Sequence, residues 1–165
     1  AGDGPWLTLG VVAFASLAAI LPGIDGILEY DRAAVGAGEP WRLLTGQLVH
    51  WTGRMAVADL VVLFAVGAWL ESRSRRLALA ALLTGGLLVG LGLHGFAPGL
   101  SHYRGSSGLA SALFAASALE MAAGSPRRWA RVAALAALGL FGMKLLWEME
   151  TGCALAAGRC FLESG

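Results

Sequence analysis

The sequence predicts an all-α, polytopic transmembrane helix bundle, and three observations predict it. Of the 165 residues, 57% belong to the hydrophobic set and only 14% are charged, where an ordinary soluble domain carries about a quarter charged residues. The apolar residues gather into long runs instead of recurring with a period. The six tryptophans, Trp6, Trp41, Trp51, Trp69, Trp129 and Trp147, all fall at or just outside the ends of those runs. An amphipathic indole prefers the headgroup zone, so that placement is the one a membrane bundle asks for.

The spans follow in order. Residues 4–24 hold no charge. A helix rises about 1.5 Å per residue and the hydrocarbon core is roughly 30 Å thick, so about 20 apolar residues cross it. Residues 6–21 are span one. Residues 55–70 are span two, interrupted only by Asp59 and stopped by the charged run from Glu71 to Arg76. Residues 77–103 are again free of formal charge, and span three occupies 77–95, ending before Pro98. Span four covers 105–121 and closes at Gly124-Ser125-Pro126. Span five covers 130–146, and residues 147–165 form a tail. The whole reads as one domain. No secretory leader is evident, because the first apolar run lacks a basic preface and a cleavage site. The chain opens Ala-Gly-Asp-Gly without Met, which implies a few missing residues.

Orientation follows from the basic residues. Arg73, Arg75 and Arg76 crowd the short loop after span two, and Arg127, Arg128 and Arg131 crowd the loop after span four. Dense basic residues in short loops mark the cytoplasmic side. The N-terminus is then cytoplasmic, and segments 23–54, 95–104 and the tail face outward. A net charge of +1 gives a nucleic-acid partner no electrostatic support. Cys153 and Cys160 in the tail leave room for a disulfide but form no framework.

Small residues point to the bundle interior. Gly105, Ser107, Gly108, Ser111, Ala112, Ala115, Ala116 and Ser117 crowd span four, and Gly86 and Gly90 sit at small-xxx-small spacing in span three. Such residues let backbones approach closely in lipid. Span four is the expected central helix.

Four polar features share one depth near the outer face: His50, Asp59, Ser107 and the Tyr103-Arg104 pair. Ser107 lies between Gly105 and Gly108, which permit a sharp turn and close approach. In the first turn of a helix, free N–H groups can hold a developing oxyanion. Its bland alternative is that Ser106 or Ser107 is a helix N-cap and the glycines serve packing. A carboxylate inside a span costs several kcal/mol unless paired, protonated or wet. Asp59 is therefore either functional or a protonated structural tie. His50 is a ligand, a base or an interfacial cap; His94 and His102 are loop or interfacial residues; Glu120 and Lys144 lie where they can snorkel. No cluster has metal-ligand spacing, no cofactor motif occurs, and none is expected.

The order of these features resembles the rhomboid intramembrane serine proteases. Trp41-Arg42 in the first outer loop looks like that family's Trp-Arg motif. Thr45-Gly46-Gln47-Leu48-Val49-His50 followed by Asp59 looks like its second-span pattern, with Gly67 and Glu71 suiting the end of that span. Gly105-x-Ser107-Gly108 matches its Gly-x-Ser-Gly nucleophile motif. His50-Trp51, Asp59, Tyr103 to Gly108, Lys144-Leu145-Leu146-Trp147-Glu148 and Thr151-Gly152 look most like the rhombosortase branch.

That resemblance implies a Ser–His dyad protease with Ser107 as nucleophile, His50, Asp59, Gly105 and Gly108 around the oxyanion, and Trp41 and Arg42 shaping the outer loop. It implies transmembrane substrates bearing GlyGly-type C-terminal sorting tails, cleaved at the outer face of a bacterial inner membrane. Two departures stand out. The family's base is a His on a sixth span, whereas no His follows His102 here, so a sixth span is expected beyond Gly165. The family's oxyanion His would fall at Met55. A catalytically inactive rhomboid-like protein that binds transmembrane helices is the alternative, and a small transporter or channel using Asp59 as its ion-linked group is a third, weaker one.

Overall fold

The structure is a computed structural model that describes residues 4–151, 153–154 and 159–160, with side chains through residue 147 except 145. The chain divides into two compact units, residues 1–117 and 118–165.

In the first unit, the charge-free run becomes α1, Trp6–Ile20. At about 1.5 Å per residue, α1 spans about 22 Å, less than the full crossing expected of residues 6–21. Two longer apolar runs form α5, Gly53–Arg73, and α6, Arg75–Phe96. Both start on a hydroxyl cap. Thr52 Oγ1 accepts from the Met55 N–H at 3.2 Å, and Ser74 Oγ from the Leu77 N–H at 3.3 Å. A hydroxyl there satisfies one of the first-turn N–H groups that a helix leaves unpaired. Ser74 is the single residue between the two helices, so α5 and α6 form a tight hairpin.

Segment 23–54, predicted only as an outer loop, is structured. It carries α2 (Ile24–Leu28), β1 (Tyr30–Asp31), α3 (Arg32–Gly36), α4 (Arg42–Thr45) and a 3-10 turn over Gly46–Leu48. β1 pairs antiparallel with β2 (His102–Tyr103), with Tyr30 opposite Tyr103. The two segments assigned to the outer side are thereby stitched together. The next helix, α7, runs Ser107–Gly124, so it starts two residues later than the predicted span four. Gly105, at φ 147°, belongs to the turn that feeds it, a conformation open mainly to glycine.

The core of this unit joins Ala15 of α1, Leu60, Leu63 and Leu70 of α5, Ala78 and Leu82 of α6, and Leu109 and Leu113 of α7. Small residues set the approach distances. A Cβ on Gly67 would lie 2.7 Å from Thr8 Cγ2, and one on Gly108 2.9 Å from Val89 Cγ1. One on Gly85 would collide with Ala112. Gly90 has a different neighbour from the one small-xxx-small spacing predicts: the Leu43 backbone carbonyl of α4 lies against it. Gly86 similarly faces Leu44 and Gln47, and Gln47 Nε2 donates to the Gly86 carbonyl at 2.7 Å. The stripe on α6 therefore receives the folded loop.

Outward, the helices present Val57, Val61, Leu83 and Leu88, all exposed. Contiguous apolar surface of this kind is rare on soluble monomers. Among the described residues, α5, α6 and α7 are long and apolar enough to cross a membrane.

The second unit contains the end of α7 and α8, Arg128–Thr151, which covers predicted span five. Lys144 Nζ sits 5.9 Å from the centre of the Phe141 ring. Two short strands follow, β3 (Cys153–Ala154) and β4 (Arg159–Cys160), with the Cys153 and Cys160 backbones opposite each other. The disulfide considered there falls on side chains outside the described residues.

Candidate active site

The turn into α7 collects the polar residues. Gly105 N–H donates to the Gly46 carbonyl at 3.3 Å, and the β1–β2 pair holds Tyr103 just before it. Ser106 and Ser107, adjacent in sequence, then part company. Ser106 is fully buried and its hydroxyl lies 3.1 Å from His50 Nε2. Its backbone carbonyl accepts the Ala110 N–H at 2.8 Å, the first bond of α7. Ser107 is exposed at the first position of the helix.

His50 enters from the segment before α5, and its side chain is wholly buried. Nε2 also lies 3.5 Å from Asp59 Oδ2, whose side chain is 23% exposed. Asp59 is thus both partnered and partly open, which answers the cost of a carboxylate on a span. His50 Nδ1 is buried with no protein partner, as is Gln47 Oε1. In a Ser-His-Asp relay the carboxylate holds one ring nitrogen and the serine the other. Here both converge on Nε2, and the hydroxyl involved is inaccessible. This cluster is a buried lock on the α7 turn.

Ser107 has different company. The Tyr103 phenol oxygen and Asp59 Oδ2 each lie 3.7 Å from the point a Cβ on Gly105 would occupy. Burial pushes the half-buried Tyr103 phenol above its ordinary value of 10.0; the Ser107 hydroxyl opposes the shift, the Asp59 charge adds to it, and the Gly108 N–H opposes it. Tyr103, Ser107, Gly108 and Asp59 therefore form one neighbourhood around Gly105. Sequence reasoning put Tyr103 and Arg104 at this depth but gave the phenol no role. The chain carries three histidines. His94 Nδ1 lies 3.1 Å from the Tyr30 hydroxyl, and His102 Nδ1 lies 3.6 Å from Glu29 Oε1. Neither these contacts nor those of His50 reach Ser107.

Charged residues brace the surroundings. Arg104 binds Asp25 at 2.6 Å and Glu29 at 2.7 Å, and its guanidinium lies 4.5 Å from the centre of the Trp51 ring. Burial opposes its charge, but Glu29 and Asp25 outweigh burial and hold Arg104 above its usual value. Arg42 pairs with Glu39 and donates to the Gly26 and Glu29 carbonyls at 2.9 and 3.0 Å, while the neighbouring Trp41 is exposed. Arg32 donates to the carbonyls of Leu93, His94, Ala97 and Leu100, closing the end of α6. A cavity of 340 Å³ opens beside this cluster, lined by the end of α1, Asp25, residues 49–53 and Arg104. Among the described residues no group of His, Cys, Asp or Glu is arranged to hold a metal.

No family model matches the chain, and no curated protein matches it.

Proposed function

We propose that the protein is a rhomboid-like intramembrane serine endopeptidase with Ser107 as its nucleophile. The observation that carries this reading is the exposed Ser107 on the first turn of an apolar helix, next in sequence to the buried Ser106 that meets His50. First-turn N–H groups are unpaired within a helix and carry its positive dipole end. An oxyanion formed on a carbon bonded to Ser107 would meet them. Gly105 leaves the approach clear.

On this reading the Ser107 oxygen attacks a scissile carbonyl and its proton passes to a base. The tetrahedral intermediate then collapses: the C–N bond breaks, and the leaving amine takes that proton. Water resolves the acyl-enzyme by the reverse roles. A serine hydroxyl needs such a base, on this reading a histidine of a sixth span. Five spans with a cytoplasmic N-terminus in a bacterial inner membrane, and substrates with GlyGly-type C-terminal sorting tails, belong to the same proposal.

The test uses the full-length protein in detergent with a fluorophosphonate probe. Labelling lost in Ser107→Ala and retained in Ser106→Ala is the expected outcome. Labelling that persists in Ser107→Ala overturns Ser107 as nucleophile. The three histidines make their side-chain contacts with Tyr30, Glu29, Ser106 and Asp59 instead of Ser107, which favours a second reading, a catalytically inactive protein that binds transmembrane helices. It predicts no labelling in any variant while crosslinking to membrane helices persists.

A further inference from the structure

The turn that leads into Ser107 has a side-chain neighbour over Gly105. Tyr103 sits one residue from Arg104, whose two carboxylate bonds fix the chain there. β-pairing to Tyr30 fixes the Tyr103 backbone, and Tyr30 is itself 1% exposed and bonded to His94. The backbone position of the phenol is therefore set by two independent anchors. From there its oxygen reaches the space over Gly105, 3.7 Å from that residue's would-be Cβ, in company with Asp59 Oδ2. That space lies two residues before Ser107 in the turn, and the Ser107 hydroxyl and Gly108 N–H both act on the phenol, favouring its ionised form. A residue with a Cβ at position 105 would enter this space, and φ 147° excludes it on backbone grounds as well.

Resting on the protease reading above, we propose that Tyr103 is a catalytic residue whose phenol O–H donates a hydrogen bond to the oxyanion formed at Ser107, alongside the first-turn N–H groups of α7. The oxyanion of a tetrahedral intermediate shares its carbon with the Ser107 oxygen, so a phenol beside the α7 turn is near enough to donate to it. Developing negative charge strengthens a hydrogen bond from a neutral donor, so the contact favours the transition state over the substrate. The phenol is suited to this because it stays protonated across the working pH range and is held by backbone pairing at no further cost on reaction. The nearby Asp59 charge disfavours ionisation of the phenol, which keeps the donor proton in place before substrate arrives.

The experiment measures fluorophosphonate labelling kinetics of the full-length wild type and Tyr103→Phe, resolving the maximal rate from half-saturating probe concentration. Thermal midpoints of both proteins are recorded in the same detergent. The expected result is a fall of about 100-fold in maximal rate, the size of losing one oxyanion donor. Half-saturation and thermal midpoint stay unchanged. A maximal rate in Tyr103→Phe equal to or above wild type overturns the donor role while leaving Ser107 as nucleophile. A lowered midpoint with raised half-saturation and unchanged maximal rate assigns Tyr103 to structure, and also overturns it. Wild type that fails to label overturns the protease reading, and the donor role falls with it.

Discussion

The two ends of the α1–α5–α6 assembly solve the same problem with different completeness. At one end, Glu71, with its side chain 3% exposed, caps α1: its carboxylate accepts the Leu7 and Thr8 N–H groups at 2.9 and 2.8 Å and the Thr8 hydroxyl at 2.8 Å. Arg75 stands 3.9 Å away. Both Glu71 carboxylate oxygens accept hydrogen bonds. At the other end, Arg32, Arg42 and Arg104 satisfy carbonyls and carboxylates with equal thoroughness. Between them, however, His50 Nδ1 and Gln47 Oε1 stay unpaired, and Ser107 is left in the open. Buried polar groups without partners are uncommon and costly. The lesson is that one end is built for stability alone, and the other tolerates incomplete pairing where chemistry is proposed.

Glu71→Ala tests the first end most severely. It strands two backbone N–H groups and a hydroxyl in a buried site, at about 3 kcal/mol or more in total. The expected outcome is a large drop in thermal midpoint, with Glu71→Gln recovering part of it. A near-neutral Glu71→Ala would erase the contrast between the ends.

The adjacent serines sharpen the comparison. Ser106→Ala removes the hydroxyl bonded to His50 Nε2 and is expected to cost about 1–2 kcal/mol. Ser107→Ala removes an exposed hydroxyl and is expected to shift stability by less than about 0.5 kcal/mol. Chemical or thermal unfolding of both variants in one detergent decides it, and equal losses would contradict the buried-lock assignment of Ser106.

The smallest effect is acid dependence. The Arg104 side-chain bond and its charge hold the exposed Asp25 below its ordinary 3.8. A folded-state value below the unfolded one means that this contribution is fully present above pH 3.8 and disappears as pH falls through the lower folded value. Unfolding midpoints recorded down the acid limb are expected to fall less steeply in Asp25→Asn than in wild type.

The helices were readable because hydrocarbon length and exclusion of charge act on local sequence. Runs at 55–70 and 77–95 lie inside α5 and α6, and 130–146 inside α8. Boundaries shifted where local chemistry intervened, as at Gly105, whose backbone belongs to the turn and leaves Ser107 to begin α7. The folded content of segment 23–54 was not readable. Its elements are four or five residues at most, too short for periodicity to register, and they are held by arginines reaching carbonyls more than ten positions away.

Sequence by itself determined that apolar helices dominate and that polar residues gather near one end, because burying charge in hydrocarbon is costly wherever the chain goes. It also marked Ser107, through the glycines beside it. Only tertiary structure decided which serine meets His50, that Glu71 caps a helix some sixty residues earlier, and that the Tyr103 phenol turns toward Ser107. Those outcomes depend on the direction of side chains across a turn and on pairings between distant segments, and neither quantity is encoded in a local window.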